Sequence, residues 1–504
     1  MTPARRDGLV LAVILLIAAA VRLVGLSGRG EWDDDQGTEM LTLLHWVRDG
    51  QMPLIGPQAS FASGHHGVAY YWLLAPSAFL SDVDPAVVVT TVALIGTAGV
   101  AATWWLGRTV GGALSGHVAA LMMAVSPSAI GASTFLWNAN IVGPAAALAA
   151  AAAWQAWRTR ELGWWVLAAA ATVLLVHAHL LAVLAVPPLA ALFVTDVLRR
   201  PRPPRQSVLG VLAATALIIA AGLAPVALYE LRTDFSETRG ISDHVFTANL
   251  GIDQSVGQRL AAVPVIGWRI LAGPMAGDAA SAPLSAVPAV VVTVAALAIA
   301  AVATKGIARR FGGWAVLTTV WAIVTLALVA PTLAVSYPGL PRDQYYSWLH
   351  PIVFAAIGVA VGRMWSARPV VLRWAAVGVV AVCAVSAIIV MPPFAPSPKG
   401  WPYAVQAAER VRPAVGDVPT AVTGVNKSGG AIEFPLRRSG VAIVDPSEAT
   451  FLVMTCDPLF ERSIGLACGG PAEIAEAALV GFPAEESSCF YNTPRRYVCI
   501  LTRA

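Results

Sequence analysis

The chain has 504 residues, of which 57% are hydrophobic and only 12% are charged, with a mean hydropathy of +0.69. Length alone would suggest several soluble domains, but so little charge cannot cover them with polar surface. Disorder and coiled coil are disfavoured for the same reason. The formal net charge of +4 is spread along the chain, which disfavours nucleic acid as a partner. The composition therefore predicts a polytopic membrane protein.

Apolar runs long enough to be helices across a bilayer recur along most of the chain. A helix needs about 20 apolar residues to cross a hydrocarbon core of about 30 Å, and about eleven such runs are bounded by charges or by Pro and Gly. The sequence thus predicts an α-helical polytopic membrane protein with about eleven transmembrane helices. The runs lie near residues 8–26, 86–106, 113–130, 141–157, 163–178, 180–197, 207–229, 286–304, 314–333, 349–362 and 370–391.

The distribution of arginine predicts the orientation of these helices. With the N-terminus inside, the short segments on the inner side carry a net charge of about +12 and everything outside about −8, in agreement with the positive-inside rule. The long segments 27–85, 230–285 and 392–504 then lie outside. Arginine far outnumbers lysine, and Ala and Val dominate the apolar runs, which is typical of a GC-rich bacterial genome. We therefore predict a multi-pass protein of a bacterial plasma membrane with its functional face extracytoplasmic.

The composition changes sharply after the last apolar run, which divides the chain into a transmembrane domain at 1–391 and a second domain at 392–504. A Pro-rich entry is followed by helix-like and strand-like segments, which predict a small extracytoplasmic α/β domain. These segments are Tyr403–Arg412, Thr420–Val425, Val441–Val444, Thr450–Met454 and Tyr497–Thr502. Asn426 to Gly430 would either hold an anion at a helix start or form a plain strand-to-helix turn.

Four of the five cysteines fall within this second domain, at Cys456, Cys468, Cys489 and Cys499. On the oxidising side of a membrane, four cysteines in one small domain predict two disulfides, whose pairing the spacing leaves open. A zinc site is the alternative, although the spacings do not resemble those of a zinc ribbon.

An acidic cluster follows the first apolar run, where Glu31, Asp33, Asp34 and Asp35 lie within five positions. Like charges this close repel, so at least one carboxyl group is expected to have a raised pKa or a bound cation. Either condition suits a general base or a ligand of a divalent metal. The plain alternative is a solvated acidic loop that only reinforces the membrane topology.

Further segments of the same loop carry a family resemblance. Asp35-Gln36 and the segment His66 to Tyr71 resemble two motifs in the first outer loop of the GT-C superfamily. In that loop, an Asp-Glu pair is usual at the position of Asp35-Gln36, and a Pro-Pro-Leu-Tyr-Tyr segment is usual at the position of His66 to Tyr71. These are polyprenyl-phosphate-sugar-dependent glycosyltransferases, and the resemblance is closest to the protein mannosyltransferase and aminoarabinose transferase branch. His177 to Leu181 resembles the family's His-containing turn, and Arg342 to Pro351 resembles its Arg-Tyr motif, with Gln344 where Arg is usual.

The resemblance implies transfer of a sugar from a polyprenyl phosphate to an acceptor hydroxyl outside the membrane, with inversion at the anomeric carbon. Asp35, or failing it Asp34, is expected to act as the general base. The acceptor would be a cell-envelope glycan, a glycolipid or a protein, and membrane lipids would surround the site. The residues expected to bind substrate are Arg342, Tyr345, Tyr346, His65, His66, Tyr70, His179 and Arg232.

No cofactor is required by this reading, although a divalent metal would fit beside the acidic cluster. Its expected ligands are Asp33, Asp34 and His66, a mixed set of oxygen and nitrogen donors. The ordinary alternative is that the histidines are hydrogen-bonded groups that line a polar cleft.

Two other functions stay open at this point. A lipid or glycolipid transporter would also have many helices, but it would carry charged or broken helices near the midplane, whereas these helix interiors are nearly free of acids and bases. An inactive GT-C relative is the other alternative, because Gln36 and Gln344 depart from the family pattern.

Overall fold

The computed structural model of the chain describes residues 2–59, 64–246, 269–270, 273–275, 345–425, 429–458, 461–492 and 496–504. The predicted spans near 286–304 and 314–333 lie outside the described residues, as do Arg342 and Gln344.

Long helices form most of the described part of the first 391 residues. They are α1 (Pro3–Leu23), α2 (Asp34–Asp49), α3 (Ala69–Ser81), α4 (Pro85–Gly111), α5 (Ala113–Val125), α6 (Pro127–Gly131), α7 (Val142–Thr159), α8 (Gly163–Ala178), α9 (Val186–Leu198), α10 (Arg205–Arg232), α11 (Ser236–Phe246), α12 (His350–Ser366) and α13 (Val370–Ile389). Short 3-10 turns at Leu26–Gly28, Asn138–Ile141, Leu180–Ala185 and Ser347–Leu349 lead into or out of them.

Six helical stretches of the described residues are long and apolar enough to cross a membrane. They are Pro3–Gly28, Pro85–Gly111, Leu180–Leu198, Arg205–Arg232, Ser347–Ser366 and Val370–Ile389. Helices α5 and α8 are shorter apolar helices, and they coincide with predicted spans near 113–130 and 163–178, while α7 coincides with the one near 141–157. The membrane bundle is therefore confirmed, and the number eleven stays a prediction.

A buried arginine joins α1 to the helices beside it. The Arg22 side chain is fully buried in the last turn of α1, and its guanidinium donates to the carbonyl oxygens of Met123 (3.1 Å) and Ala124 (2.9 Å) in α5 and to Ser133 Oγ (3.2 Å). These carbonyls belong to the last turn of α5 and have no partner within the helix. Arg22 therefore holds helix ends together on the side of the bundle where the first loop begins.

A four-stranded sheet forms the centre of the C-terminal domain. Its strands are β1 (Thr420–Val425), β2 (Phe451–Cys456), β3 (Ala484–Asn492) and β4 (Arg496–Arg503) in the order β1-β2-β4-β3, with β1 and β2 parallel and the other pairs antiparallel. Around the sheet lie α14 (Trp401–Val415), α15 (Gly430–Arg438), α16 (Glu461–Ile464) and α17 (Pro471–Leu479). The predicted strands at 420–425, 450–454 and 497–502 are confirmed, but the segment 441–444 forms only an isolated bridge between Ile443 and Thr420.

Both predicted disulfides are present in this domain. Cys456 pairs with Cys468, and Cys489 pairs with Cys499 across the facing strands β3 and β4. The zinc alternative is not supported, because sulfurs joined in a disulfide are not available as thiolate ligands. Cys383 in α13 is a free, buried thiol.

Candidate active site

The acidic cluster lies at the contact between the membrane bundle and the C-terminal domain. Asp33 caps the start of α2 and also pairs with Arg496 of β4, whose Nη2 lies 2.8 Å from Asp33 Oδ1. Asp34 Oδ1 accepts a hydrogen bond of 2.8 Å from the backbone N–H of Gly430. Next to them, Trp32 Nε1 donates to the carbonyl oxygen of Ala431 at 2.9 Å. Asp33 and Asp34 therefore attach the C-terminal domain to α2.

The start of α15 binds an anion, and that anion belongs to the protein itself. Gly430 is the first residue of α15, so its backbone N–H lies at the positive end of the helix and has no partner within it. The carboxylate of Asp34 occupies this position. This contact explains two of the sequence features together, the anion-binding turn and one acid of the cluster.

Gln36 has a structural role at the place where the family pattern has an acid. Its Oε1 accepts a hydrogen bond from the backbone N–H of Asp33 at 2.9 Å, and its Nε2 donates to the carbonyl oxygen of Leu136 at 2.8 Å. A carboxylate could make only the first of these contacts, because it has no donor. The glutamine therefore anchors α2 to the segment around Leu136.

Asp35 is exposed, as is Asp33, and a buried acid lies one helical turn further along α2. Glu39 is almost fully buried, and the hydroxyl of Tyr70 in α3 donates to its Oε2 at 2.6 Å. The pKa of Glu39 is raised to about 8, chiefly by burial and to a smaller extent by the charge of Asp35, against the opposing effect of the Tyr70 hydrogen bond. At neutral pH, Glu39 is therefore largely protonated while Asp35 stands next to it as a separate carboxyl group.

Replacing Glu39 with glutamine should stabilise the protein at neutral and alkaline pH. The folded protein binds the Glu39 proton up to about pH 8, whereas a carboxyl with the ordinary pKa of 4.5 has lost it, so folding stability falls as pH rises through this window. Glu39→Gln keeps a hydrogen-bond partner for Tyr70 and removes the titration. We expect its melting temperature to exceed that of the wild type by several degrees at pH 8, with a much smaller difference at pH 5.

The exposed Glu409 in α14 offers the matched control. Glu409→Gln changes the same chemical group without burial, so its melting-temperature difference from the wild type should be small at both pH values. A Glu39→Gln difference that is equal at pH 5 and pH 8 would contradict a raised pKa at Glu39.

Three histidines form a second cluster beside this pair. The backbone N–H of Leu180 donates to His66 Nδ1 at 3.3 Å, that of Leu181 to His179 Nδ1 at 3.3 Å, and that of Ala69 to His177 Nδ1 at 3.4 Å. Each ring therefore accepts at Nδ1 and carries its proton at Nε2. Burial lowers the pKa of His66 to about 3, with smaller effects from His179 and His65, so His66 is a neutral donor at physiological pH.

The other residues expected to bind substrate divide into two groups. Tyr345 is buried with its ring edge against His179 (5.2 Å between centroids), so it lies beside the histidine cluster, whereas Tyr346 is buried against His350 (5.8 Å). His65 instead binds Glu237 of α11 through its backbone N–H and Nδ1, both at 2.7 Å. Arg232 is exposed at the end of α10, and none of these contacts includes it.

The expected metal ligands are not gathered into one cluster. Within the described residues, the group of His, Cys, Asp and Glu side chains with three ligand atoms close together is Cys456, Cys468 and Glu473, whose sulfurs are joined in a disulfide. Asp33 and Asp34 are engaged by the C-terminal domain, whereas His66 contacts His179. Dependence of activity on a divalent metal stays a prediction, which exhaustive chelation would test.

An apolar groove of about 400 Å³ opens beside the histidines, between α8, the segment Leu180–Leu198 and α10. Val173, Leu189, Phe193 and Leu212 are among the side chains that line it. His177 also lines the groove and lies close to α10, since a Cβ on Gly222 would be 3.1 Å from His177 Nε2. The walls of the groove are therefore mostly apolar, and their polar side chains include Thr172, Thr215 and His177.

No protein-family profile matches the sequence, and no curated protein does. Solved structures match over nearly the whole chain. ArnT from Cupriavidus metallidurans matches in the apo state (TM-score 0.62, 13% identity, 97% of each chain) and bound to undecaprenyl phosphate (TM-score 0.60, 15% identity, 99% of this chain and 98% of that one). The Archaeoglobus fulgidus oligosaccharyltransferase AglB, with an inhibitory peptide and a dolichol-phosphate, matches with a TM-score of 0.56 and 13% identity over 90% of this chain and 70% of that one.

The chain has the GT-C fold. The predicted resemblance to the GT-C superfamily is therefore confirmed at the level of the fold, and the match to ArnT covers 97% of each chain. At identities of 13–15%, the match does not assign substrates or catalytic residues.

Several residues of this candidate site were missed from the sequence. Glu39 had a signal, because it lies one helical turn after Asp35 in an amphipathic helix. Asn138, which is buried and donates to the carbonyl oxygen of Ala178 at 2.5 Å, had none. The same holds for Glu237 and Arg496, whose partners His65 and Asp33 are far away in sequence.

Proposed function

We propose that the chain is a membrane glycosyltransferase that moves a sugar from a polyprenyl-phosphate donor to an acceptor hydroxyl, with inversion and with Asp35 as general base. A continuous path of contacts supports this most. Glu39, one turn from Asp35, binds Tyr70, and the neighbouring Ala69 donates to His177, which lines the apolar groove. Acid, hydrogen-bond donors and a lipid-sized groove therefore occur side by side, as this reaction requires.

The groove is the proposed site of the prenyl chain. Its walls are apolar side chains of α8, α9 and α10, and a prenyl chain placed there would exchange contact with lipid for contact with protein. His177, which lines the groove, would then lie near the phosphate at the head of the chain. ArnT binds undecaprenyl phosphate on the same fold, which makes this class of donor the natural one to test.

The histidine cluster supplies hydrogen-bond donors for the phosphate. His66, His177 and His179 each accept at Nδ1, so each has an Nε2–H to donate. The phosphate gains negative charge as the bond to the sugar breaks, so fixed N–H dipoles stabilise the transition state more than the ground state. Tyr345, beside His179, is in place to help orient this group.

In the proposed step, the acceptor oxygen attacks the anomeric carbon from the face opposite the phosphate. The new carbon–oxygen bond forms as the bond to the phosphate oxygen breaks, and the polyprenyl phosphate leaves with the bonding electrons. Asp35 takes the acceptor proton. A protonated Glu39 suits this role, because a second negative charge one turn away would hold the Asp35 proton and slow its release.

We place the reaction on the extracytoplasmic side of a bacterial plasma membrane. The acidic cluster and the C-terminal domain are in contact, so both lie on one side of the bundle, and that domain carries two disulfides. Disulfides form and persist in oxidising compartments. The positive-inside distribution of arginine independently puts the same segments outside.

Filling the groove at Gly222 should weaken donor binding. A Cβ at Gly222 would already lie 3.0 Å from Val173 Cγ1 and 3.1 Å from His177 Nε2, so the leucine of Gly222→Leu would project into the groove or displace His177. We expect at least a tenfold loss of affinity for undecaprenyl phosphate, measured by native mass spectrometry in detergent, with a matching rise in the KM for polyprenyl-phosphate sugars.

Gly210 on the same helix is the matched control, because a Cβ there would meet nothing within 4 Å. Gly210→Leu should bind the lipid as the wild type does. Equal lipid affinity in Gly222→Leu and Gly210→Leu would remove the groove from the proposal. Absence of transfer by the wild-type protein with every polyprenyl-phosphate sugar would overturn the proposed function.

A further inference from the structure

A second cavity of about 820 Å³, with both polar and apolar walls, lies on the other side of one loop from the histidine cluster. The loop is the segment 134–140. Phe135 and Trp137 line the cavity, whereas Leu136 accepts from Gln36 on α2 and Asn138 donates to Ala178 beside the histidines. The loop is therefore a shared wall, with the cavity on one side and the acid and histidine groups on the other.

Two aromatic rings form a platform in this wall. The rings of Phe135 and Trp137 are stacked, with centroids 6.0 Å apart and planes 30° apart, and both side chains are partly exposed. Neutral hydrogen-bonding groups lie around them. Asn140 donates through Nδ2 to the carbonyl oxygen of Phe135 at 2.7 Å, which leaves its amide oxygen for a ligand, and Ser128 and Thr134 add hydroxyl groups.

Two arginines at the cavity hold the ends of α1 and α5, and one guanidinium nitrogen, Arg29 Nη2, is buried without a hydrogen-bond partner among the described residues. Arg22 donates to helix-end carbonyls of α5, and Arg29 Nη1 donates to the carbonyl oxygens of Val21 (2.8 Å) and Val24 (3.2 Å) at the end of α1. Glu31 lies 3.9 Å from Lys399. The opposite wall is the linker Val390–Pro398, rich in proline, which leads to the C-terminal domain.

We propose that this cavity binds the carbohydrate part of an acceptor glycan. The C–H faces of a sugar ring pack on the electron-rich faces of aromatic rings, and its hydroxyls need neutral donors and acceptors around that platform. The volume is within the range of sites that enclose a small ligand.

This inference rests on the proposed function for its link to catalysis, since it makes the glycan the acceptor. The acceptor and the donor would then approach the loop 134–140 from opposite sides. Gln36 fixes α2 to that loop at Leu136, so Asp35, one residue earlier, is held at the same wall. The loop would position both substrates relative to the base.

The test measures binding of sugars directly and separately from transfer. The probes are a panel of neutral di- to tetrasaccharides of glucose, galactose, mannose and arabinose. Their binding to the full chain in detergent is measured by saturation-transfer NMR. We expect at least one of them to bind, and Trp137→Ala to raise its Kd at least tenfold. Affinity for undecaprenyl phosphate should change less than twofold in the same variant.

Trp46→Ala is the matched control, because Trp46 is a partly buried tryptophan that contacts Phe79 (5.7 Å between centroids) away from the cavity. It should bind the sugar as the wild type does, and Trp137→Phe should keep part of the affinity, which separates loss of the platform from misfolding. Sugar binding that Trp137→Ala leaves unchanged, or no binding by any member of the panel, would overturn the inference. Sugar binding that depends on Trp137 in a protein that neither binds undecaprenyl phosphate nor transfers sugar would leave the inference standing and remove the proposed function.

Discussion

Asp35→Asn should lower the turnover number of glycosyl transfer by about 10²- to 10⁴-fold, the range over which a general base contributes. The substitution preserves the size and shape of the side chain and removes its ability to take a proton. Asp35 is exposed in the first turn of α2, so folding should not depend on its charge. The measurement is transfer of labelled sugar from a polyprenyl phosphate in proteoliposomes, at saturating donor and acceptor.

Asp34→Asn is the matched control for this experiment, because it removes one negative charge from the neighbouring residue. Its amide oxygen can still accept the hydrogen bond from Gly430, so α15 stays attached to α2. We expect turnover within about tenfold of the wild type and a lower melting temperature, since the charge at the helix start contributes roughly 0.3–1 kcal/mol. If Asp34→Asn abolished transfer while Asp35→Asn did not, the general base would have to be reassigned to Asp34.

Composition and apolar runs predicted the membrane bundle well, since a helix in lipid must be apolar along its length. The ends of the candidate spans Pro85–Gly111 and Arg205–Arg232 fall close to the runs that predicted them. Helices α5 and α8 are too short to be identified as membrane spans by length alone, although both coincide with predicted apolar runs. Strand β1 was predicted with the bounds that it has, because its apolar run is short and ends at a glycine-rich turn.

The roles of individual acids could not be predicted in the same way. The cluster itself was evident from the sequence, but the partners of Asp33 and Asp34 are Arg496 and Gly430, more than 390 positions away. No local pattern contains such contacts, so both acids were assigned to chemistry or metal binding. Glu39 shows the converse problem. Its place in α2 was predictable, but its burial depends on α3, where Tyr70 covers it.

The histidines lie between these two cases. Their spacing indicated a polar cluster at one end of the helices, and His66 and His179 are indeed in contact, with 4.9 Å between ring centroids. Whether they would bind a metal or donate hydrogen bonds depended on which ring nitrogen is free. The backbone N–H groups of Leu180 and Leu181 occupy Nδ1 in both rings, a detail that only the folded turn supplies.

Gly37→Ala should detach the C-terminal domain from the membrane bundle. A Cβ at Gly37 would lie 1.9 Å from the carbonyl oxygen of Gly430 and 2.7 Å from the backbone nitrogen of Ala431. Both are backbone atoms, so no side-chain rotation can relieve the clash, and α15 would have to move away from α2. That movement would break the bonds from Gly430 to Asp34 and from Trp32 to Ala431. The cost should exceed the roughly 1–3 kcal/mol of an ordinary overpacked site, despite the gain in helix propensity from alanine.

Limited proteolysis would measure this detachment, because the linker Val390–Pro398 is held between the domain and the bundle and should become much more readily cleaved in Gly37→Ala. Gly210→Ala is the control, since it makes the same change in a helix where the new Cβ meets nothing within 4 Å. Transfer should fall in Gly37→Ala as well, because the domain holds the start of α2, which carries Asp35. If the linker were cleaved faster while transfer stayed at the wild-type rate, the domain contact would be needed for assembly alone, and the position of Asp35 would depend on Gln36 and Leu136 instead.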